Sequence, residues 1–343
     1  MNPKAIFFLD AGRKFFSVKS ICTLLEAAAQ AGLDQMQLYF SDNQGFRFAL
    51  ADMTVETEYG IYDLSGVPGD GYCQEDKAPD GSGGYLTEGD MEAILGRAAG
   101  LGIELVPALN MPGHMGTILT RFPQFRYPGS RSSLDLRNPE AVAFAYGLAE
   151  KYAAWFARRG CRYFNLGGDE FANDLGIMGF ETIYENGVMR YLVDFLNGLV
   201  ARITAYGLTP MAFNDGIYYN DDLVTYGEID RRIWVLYWIA GWNGYRPASP
   251  ATLAGAGFSL VNACHRYYCG AGCPDWAERA ENWKTFDCRR FDRDIIVDQP
   301  AGGMLCCWCD RGNFYGPDGG EALAHALPPV IAAFGQAMGK TNC

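Results

Sequence analysis

Histidine is scarce in this chain, 3 of 343 residues, with no His-x-His or His-x-x-x-His pair. A zinc hydrolase needs several nitrogen, sulfur or carboxylate ligands converging on one ion. A metal-dependent reading would have to lean on His114, Asp42 and Asp215, and no metal or other cofactor is expected. No apolar run reaches the ~18 residues of a membrane-spanning helix. Positive charge is also short, with 28 Lys and Arg against 40 Asp and Glu, a net charge of -12 and a pI near 4.8. That balance argues against nucleic acid and anionic membrane as partners. The opening Met1-Asn2-Pro3-Lys4 runs straight into a strand-like segment and lacks the apolar stretch and small-residue cleavage site of a signal peptide. The expectation is therefore a cytoplasmic protein, with a trimmed secreted or surface protein as the alternative. Cysteine is plentiful, but its 11 copies are an odd number and lack a regular disulfide framework. Most are expected to be reduced core residues, as in the apolar run around Cys306-Cys307-Trp308-Cys309. A zinc set from Cys264, Cys269, Cys273 and Cys288 has neither ribbon nor finger spacing.

What the chain does have is apolar residues, 49% of the total, and a regular alternation of patterns. Strand-like runs fall at residues 6–10, 35–40, 104–109, 163–166, 210–214, 233–238, 259–263 and 304–308. Helical patterns follow most of them, at 20–31, 88–101, 141–157, 184–206, a short segment after Ser249-Pro250, and 320–338. Thr87 and Asn138-Pro139-Glu140 read as helix starts. Eight β-then-α units predict one closed (β/α)8 barrel, an α/β fold, over residues 1–343 with no accessory domain. Active sites of such barrels lie at the C-terminal strand ends. Those ends carry Asp10 to Arg13, Ser41 to Gln44, Asn110 to His114, Asp169-Glu170, Asn214-Asp215, Trp238 to Trp242, His265 to Tyr268 and Trp308 to Asp310. Polar groups among aromatic rings suit a sugar, which offers hydroxyls and flat C–H faces. Two long connections, residues 54–86 and 115–137, are expected to border the pocket, because loops of that length are usually functional.

The run Asn165-Leu166-Gly167-Gly168-Asp169-Glu170 is the sharpest signal. Adjacent side chains of a regular strand face opposite ways, so two neighbouring carboxylates can serve one cavity only where the strand ends and bends. The glycine pair supplies that bend.

With these motifs the chain resembles the family 20 glycoside hydrolases, the β-N-acetylhexosaminidases, and is most similar to their bacterial exo-β-N-acetylglucosaminidase branch. The resemblance runs in order through Leu9 to Phe16, Ser41 to Arg47, Pro112-Gly113-His114, Gly167 to Glu170, Phe213 to Gly216, Tyr237-Trp238 and Trp308 to Asp310. It implies a substrate-assisted retaining mechanism in which the substrate's own 2-acetamido oxygen is the nucleophile. It further implies Glu170 as general acid and base, and Asp169 as partner of the acetamido N–H. Tyr267 is the expected donor to the acetamido oxygen, with Tyr268 as the alternative. Arg13 and Asp310 would bind the hydroxyls of the terminal sugar. Trp238, Trp242 and Trp308 would wall the pocket. His114 and Asp42 would support the acid from behind, and Asn214 and Asp215 would shape the floor or touch the sugar. The implied substrate is a glycan or oligosaccharide ending in β-linked GlcNAc or GalNAc, GlcNAc preferred. Disaccharide release of the lacto-N-biosidase type and a non-catalytic sugar-binding barrel remain alternatives. Three positions depart from common family patterns: Asn165 stands where many members have His, Asp310 where many have Glu, and Asn243 where the branch has a second Trp.

Overall fold

Alternation along the first strand divides the apolar residues into two cores. Ile6 and Phe8 face inward to one cluster, while Ala5, Phe7 and Leu9 face outward to another. This computed structural model describes residues 2–72, 78–175, 186–241, 246–272 and 275–340. The eight expected strands are β1 (Lys4–Asp10), β2 (Gln35–Asp42), β3 (Glu104–Leu109), β4 (Tyr163–Asn165), β5 (Thr209–Phe213), β6 (Trp234–Tyr237), β7 (Ser259–Asn262) and β8 (Gly302–Trp308). They pair in parallel in that order, and β8 returns to β1. The fold is a (β/α)8 barrel. Its interior is filled by Ile6, Phe8, Tyr39, Val106, Met211, Phe213, Leu236, Val261 and Met304 among others. Period two then carries Asp10, Phe213, Trp238 and Trp308, each in step with an inward residue, to the C-terminal mouth.

The helices are α1 (Val18–Gln30), α2 (Glu88–Gly100), α3 (Gly116–Arg121), α4 (Pro139–Ala157), α5 (Val188–Ala205), α6 (Pro250–Gly255), α7 (Trp276–Asn282), α8 (Glu321–Ala326) and α9 (Pro328–Lys340). Their starts follow the capping chemistry read from the sequence. Thr87 and Asp90 form a reciprocal capping box on α2, and Asn138 accepts from the first-turn amides of α4. The single helix expected over 320–338 is two, α8 and α9. The break falls at Leu327, before Pro328-Pro329, because proline has no N–H to donate and crowds the helical geometry of the residue before it. A helix outside the expected set forms at 276–282, where Asp275 caps it by accepting from the Glu278 amide. No helix is long and apolar enough to cross a membrane, among the described residues.

The two long connections behave differently. Residues 115–137 do reach the mouth. They pass through α3 and a turn at Pro123–Phe125, and Ser133 then accepts from the Ala172 amide at 2.8 Å, just after the carboxylate pair. Residues 54–86 correct the expectation in part. They begin with an antiparallel hairpin, Thr54–Thr57 against Gly60–Asp63, which lies on the flank of α4, with the Tyr62 hydroxyl donating to Glu140 at 2.9 Å. Only the later part returns toward the mouth, where Asp70 and Asp80 meet the buried Arg47 at 2.7 and 3.3 Å.

Candidate active site

Strand β4 stops at Asn165, and the backbone then turns left-handed at Gly167 (φ 72°), Gly168 (φ 83°) and Glu170 (φ 49°). A Cβ on Gly167 would lie 1.9 Å from the Asn110 side-chain oxygen, so this bend needs glycine twice over, for its φ and for its space. The result is the arrangement expected from the sequence: Asp169 and Glu170, neighbours in the chain, line one cavity. It measures about 170 Å3 and is also lined by Arg13, Phe213, Trp238, Tyr268, Trp308 and Asp310.

Each carboxylate is fixed differently. Asn110 donates to Asp169 at 2.7 Å and accepts from the Gly168 amide at 3.0 Å. Glu170 accepts from Asn173 at 2.9 Å, and its side chain is 27% exposed, against 8% for Asp169. His114 stands behind both, with Nε2 3.5 Å from Asp169 and 3.3 Å from Glu170 and Nδ1 3.3 Å from Asp42. Burial disfavours a charged imidazole, but the facing Asp42 and Asp169 carboxylates outweigh it and hold the His114 pKa well above the usual value. Burial raises Asp169, opposed by His114. For Asp42 the burial penalty is overcome by Arg13 and His114, and its pKa falls.

Arg13 is held as a rigid fork. It reaches Asp10 at 2.8 Å and Asp42 at 3.1 Å, lies 4.0 Å from Asp310, and stands 5.2 Å above the Trp308 ring. Asp10 also accepts from the Arg13 and Cys309 amides at 3.0 and 2.9 Å, which ties the end of β1 to the end of β8. Trp308 lies on Phe8, with centroids 4.5 Å apart, and so paves the floor. Trp238 and Tyr268 stack at 6.2 Å and 12°. The Tyr268 hydroxyl and the Trp308 indole nitrogen are buried; the hydroxyl faces that indole and the Cys306 thiol, with no hydrogen bond of normal geometry among the described residues.

Several sequence expectations are corrected. Tyr267 is not on the cavity; its ring packs into the outer core against Trp283 and Phe286 at 4.9 and 5.1 Å. Tyr268 takes the wall position instead. Asp42 and His114 lie behind the lining, on the side from which they were expected to support the acid, whereas Asn214 and Asp215, expected to shape the floor or touch the sugar, also lie behind it and not on it. Asn214 accepts from the Trp238 amide and donates to the Ile239 carbonyl, both at 2.8 Å, joining β5 to β6. Asp215 accepts from the Glu170 amide at 2.8 Å and from the Trp238 indole N–H. Burial, with the Asp169 charge beside it, pushes Asp215 up to about 8. Trp242 and Asn243 lie outside the described residues. Among the described residues the proposed zinc cysteines do not gather: Cys264 meets His265 and Asp292, and Cys269 pairs in register with Cys307; Cys273 lies outside the described residues. Asp10, Asn110 and Phe213 stand within the strand-end or motif runs without a predicted role, and Tyr39 stands in none of those runs. Asp10 and Asn110 stood at strand ends, which was their signal; Tyr39, which donates to Asp42 at 2.7 Å, gave none.

A small polar pocket with aromatic floor and wall, an ordered arginine and an acid pair at a barrel mouth has the chemistry of a glycosidase. Comparison with known proteins narrows that class. Residues 6–291 match the model of glycosyl hydrolase family 20, catalytic domain, and the chain belongs to that family. A structure of the pneumococcal exo-β-D-N-acetylglucosaminidase StrH superposes with a TM-score of 0.84 at 26% identity, covering 98% of this chain and 83% of that one. Dispersin B shares the fold, with a TM-score of 0.77 at 19% identity and full coverage of both chains, 100% each. The lacto-N-biosidase of Bifidobacterium bifidum is 24% identical over 252 residues, 67% of this chain. The chain spans 21% of that relative's length, and 26% of the β-hexosaminidase subunit A2 of Dictyostelium discoideum.

Proposed function

We propose that the chain is an exo-acting, retaining β-N-acetylhexosaminidase that releases a terminal β-linked GlcNAc by substrate-assisted catalysis. The observation that carries this reading is the pairing of Asp169, oriented by Asn110, with the buried Tyr268 hydroxyl on a cavity of about 170 Å3. That volume is below the ~300–1,000 Å3 usual for small-ligand sites, which favours one sugar over two. The 2-acetamido group would sit between Asp169 and Tyr268. Its oxygen attacks the anomeric carbon as the glycosidic C–O bond breaks, and Glu170 gives its proton to the leaving oxygen. Asp169 stabilises the positive charge that develops on the acetamido nitrogen. A water then attacks the anomeric carbon of the oxazolinium, Glu170 takes the water's proton, and the ring opens with retained configuration. His114, charged between Asp42 and Glu170, would steady the acid from behind. Arg13 and Asp310 would take the hydroxyls of the terminal sugar, which would make cleavage exo.

The test is release of nitrophenol from the p-nitrophenyl β-glycosides of GlcNAc, GalNAc, glucose and lacto-N-biose. Cleavage of the GlcNAc glycoside and not the glucoside is expected. Asp169→Asn should lower the rate even with this good leaving group, by about 10²-fold or more, the scale of an electrostatic stabiliser lost from a transition state. An unchanged rate in that variant would sink the assisted mechanism. Cleavage of the lacto-N-bioside alone would move the reading to disaccharide release, the activity named for the Bifidobacterium relative.

A further inference from the structure

The hairpin at Thr54–Thr57 and Gly60–Asp63 takes no part in the pocket, yet it builds a second cavity. Its turn, with α4 and α5, encloses a groove of about 450 Å3 on the flank of the barrel, and this groove shares no lining residue with the catalytic pocket. Two tyrosines stand out there. Tyr59 at the hairpin turn is 48% exposed and Tyr191 on α5 is 46% exposed. Large apolar surface left in water at a concave site is informative in a way that a single exposed leucine is not.

The polar groups of the groove are ordered in advance. Arg202 lies 3.8 Å over the Tyr146 ring, which is itself stacked on Phe195, and is 3.6 Å from Glu150. Arg137 forks onto Asp135 at 3.0 and 3.3 Å and stands 4.8 Å over Tyr127. Side chains already fixed this way lose little freedom when a ligand arrives. Glu56, Glu58 and Glu150 outnumber the two arginines by one, so the groove has no cationic excess to attract phosphate or nucleic acid. Flat rings for C–H faces and forked donors beside carboxylates for hydroxyls are the recognition chemistry of a neutral carbohydrate. The volume, more than twice that of the catalytic pocket, fits more than one ring.

We propose that this groove is a second, non-catalytic binding site for a neutral oligosaccharide, with Tyr59 and Tyr191 as its stacking platforms. It would hold a glycan chain on the flank while another end is trimmed at the mouth. The choice of a GlcNAc oligomer as probe rests on the function proposed above.

The experiment is calorimetric titration of the β-1,4-linked GlcNAc tetramer into Glu170→Gln protein, repeated with Tyr59→Ala and Tyr191→Ala added. Two binding events are expected, of which the tyrosine variants lose one. Tyr59→Phe and Tyr191→Phe, which keep the rings, should retain both. With Glu170 intact, the alanine variants should cleave p-nitrophenyl β-GlcNAc at the unaltered rate. A single event that disappears with the tyrosines would keep the groove and remove the catalytic reading. Binding unaffected by both alanine substitutions, or no binding at all, overturns the groove proposal.

Discussion

Tyr268 turns toward the pocket because the strand that carries it has already ended. Alternation along a strand favours one of two adjacent tyrosines, but β7 stops at Asn262 and residues 265–267 form a tight turn. The choice between Tyr267 and Tyr268 was therefore set by turn geometry, which a period-two pattern does not encode. The pocket residues that were legible, Arg13, Asp169, Glu170, Trp238, Trp308 and Asp310, follow the ends of strands with clear apolar signals. Tyr39 was not legible because it lies within a wholly buried strand, where a polar tip gives no mark in the sequence. The distinction between the tyrosines has a direct consequence. Tyr268→Phe should lower kcat on p-nitrophenyl β-GlcNAc by about 10²-fold, since it removes a preorganised donor from a site of developing charge. Tyr267→Phe should change it little, because that ring only packs. The reverse ranking would return the acetamido oxygen to Tyr267.

At the level of elements, the barrel was readable because each strand keeps its period and most helices announce their start with a capping residue. The hairpin at 54–63 was hidden inside a loop-like composition. The glycine pair makes the bend that its residue type implies, and its neighbourhood explains why the bend is demanding. Gly167→Ala would place a methyl group against Asn110 in a left-handed turn. Alanine at positive φ destabilises by about 1 kcal/mol or more, and the displaced Asn110 could no longer orient Asp169. Urea unfolding should show the loss, and activity should fall with it. Thr87→Ala is the matched control. It removes the capping box of α2, which contributes no residue to the pocket lining, at a cost of about 1 kcal/mol, and kcat/KM for the nitrophenyl substrate should stay as it was. Equal losses of activity in the two variants would mean that general destabilisation, and not the bend, governs the rate.

For the molecule as a whole, the mouth concentrates buried acids that the fold can hold only with help. Asp10, Asp42, Asp169 and Asp215 are all buried, opposed by Arg13 and His114. Burial raises Asp10, Asp169 and Asp215, the last to about 8. A carboxyl whose folded pKa lies above its unfolded value near 4 favours the fold while protonated, and that contribution is lost as pH rises through the folded value. His114 acts with the same sign above its unfolded value of about 6.5, because its charged form is favoured in the fold. Asp42, whose pKa is lowered, works the other way, but only as pH falls below about 4. Between pH 5 and 8 these shifts therefore agree, and the melting temperature should fall as pH rises. Surface repulsion from the net charge of -12 would push in the same direction, so the comparison belongs at high salt, where exposed charges are screened and buried ones much less so. Under those conditions Asp215→Asn should flatten part of the slope, since it removes the carboxyl that must ionise in that window. A melting temperature that stays level or rises from pH 5 to 8 in the parent chain would mean that the acids at the mouth ionise without cost to the fold.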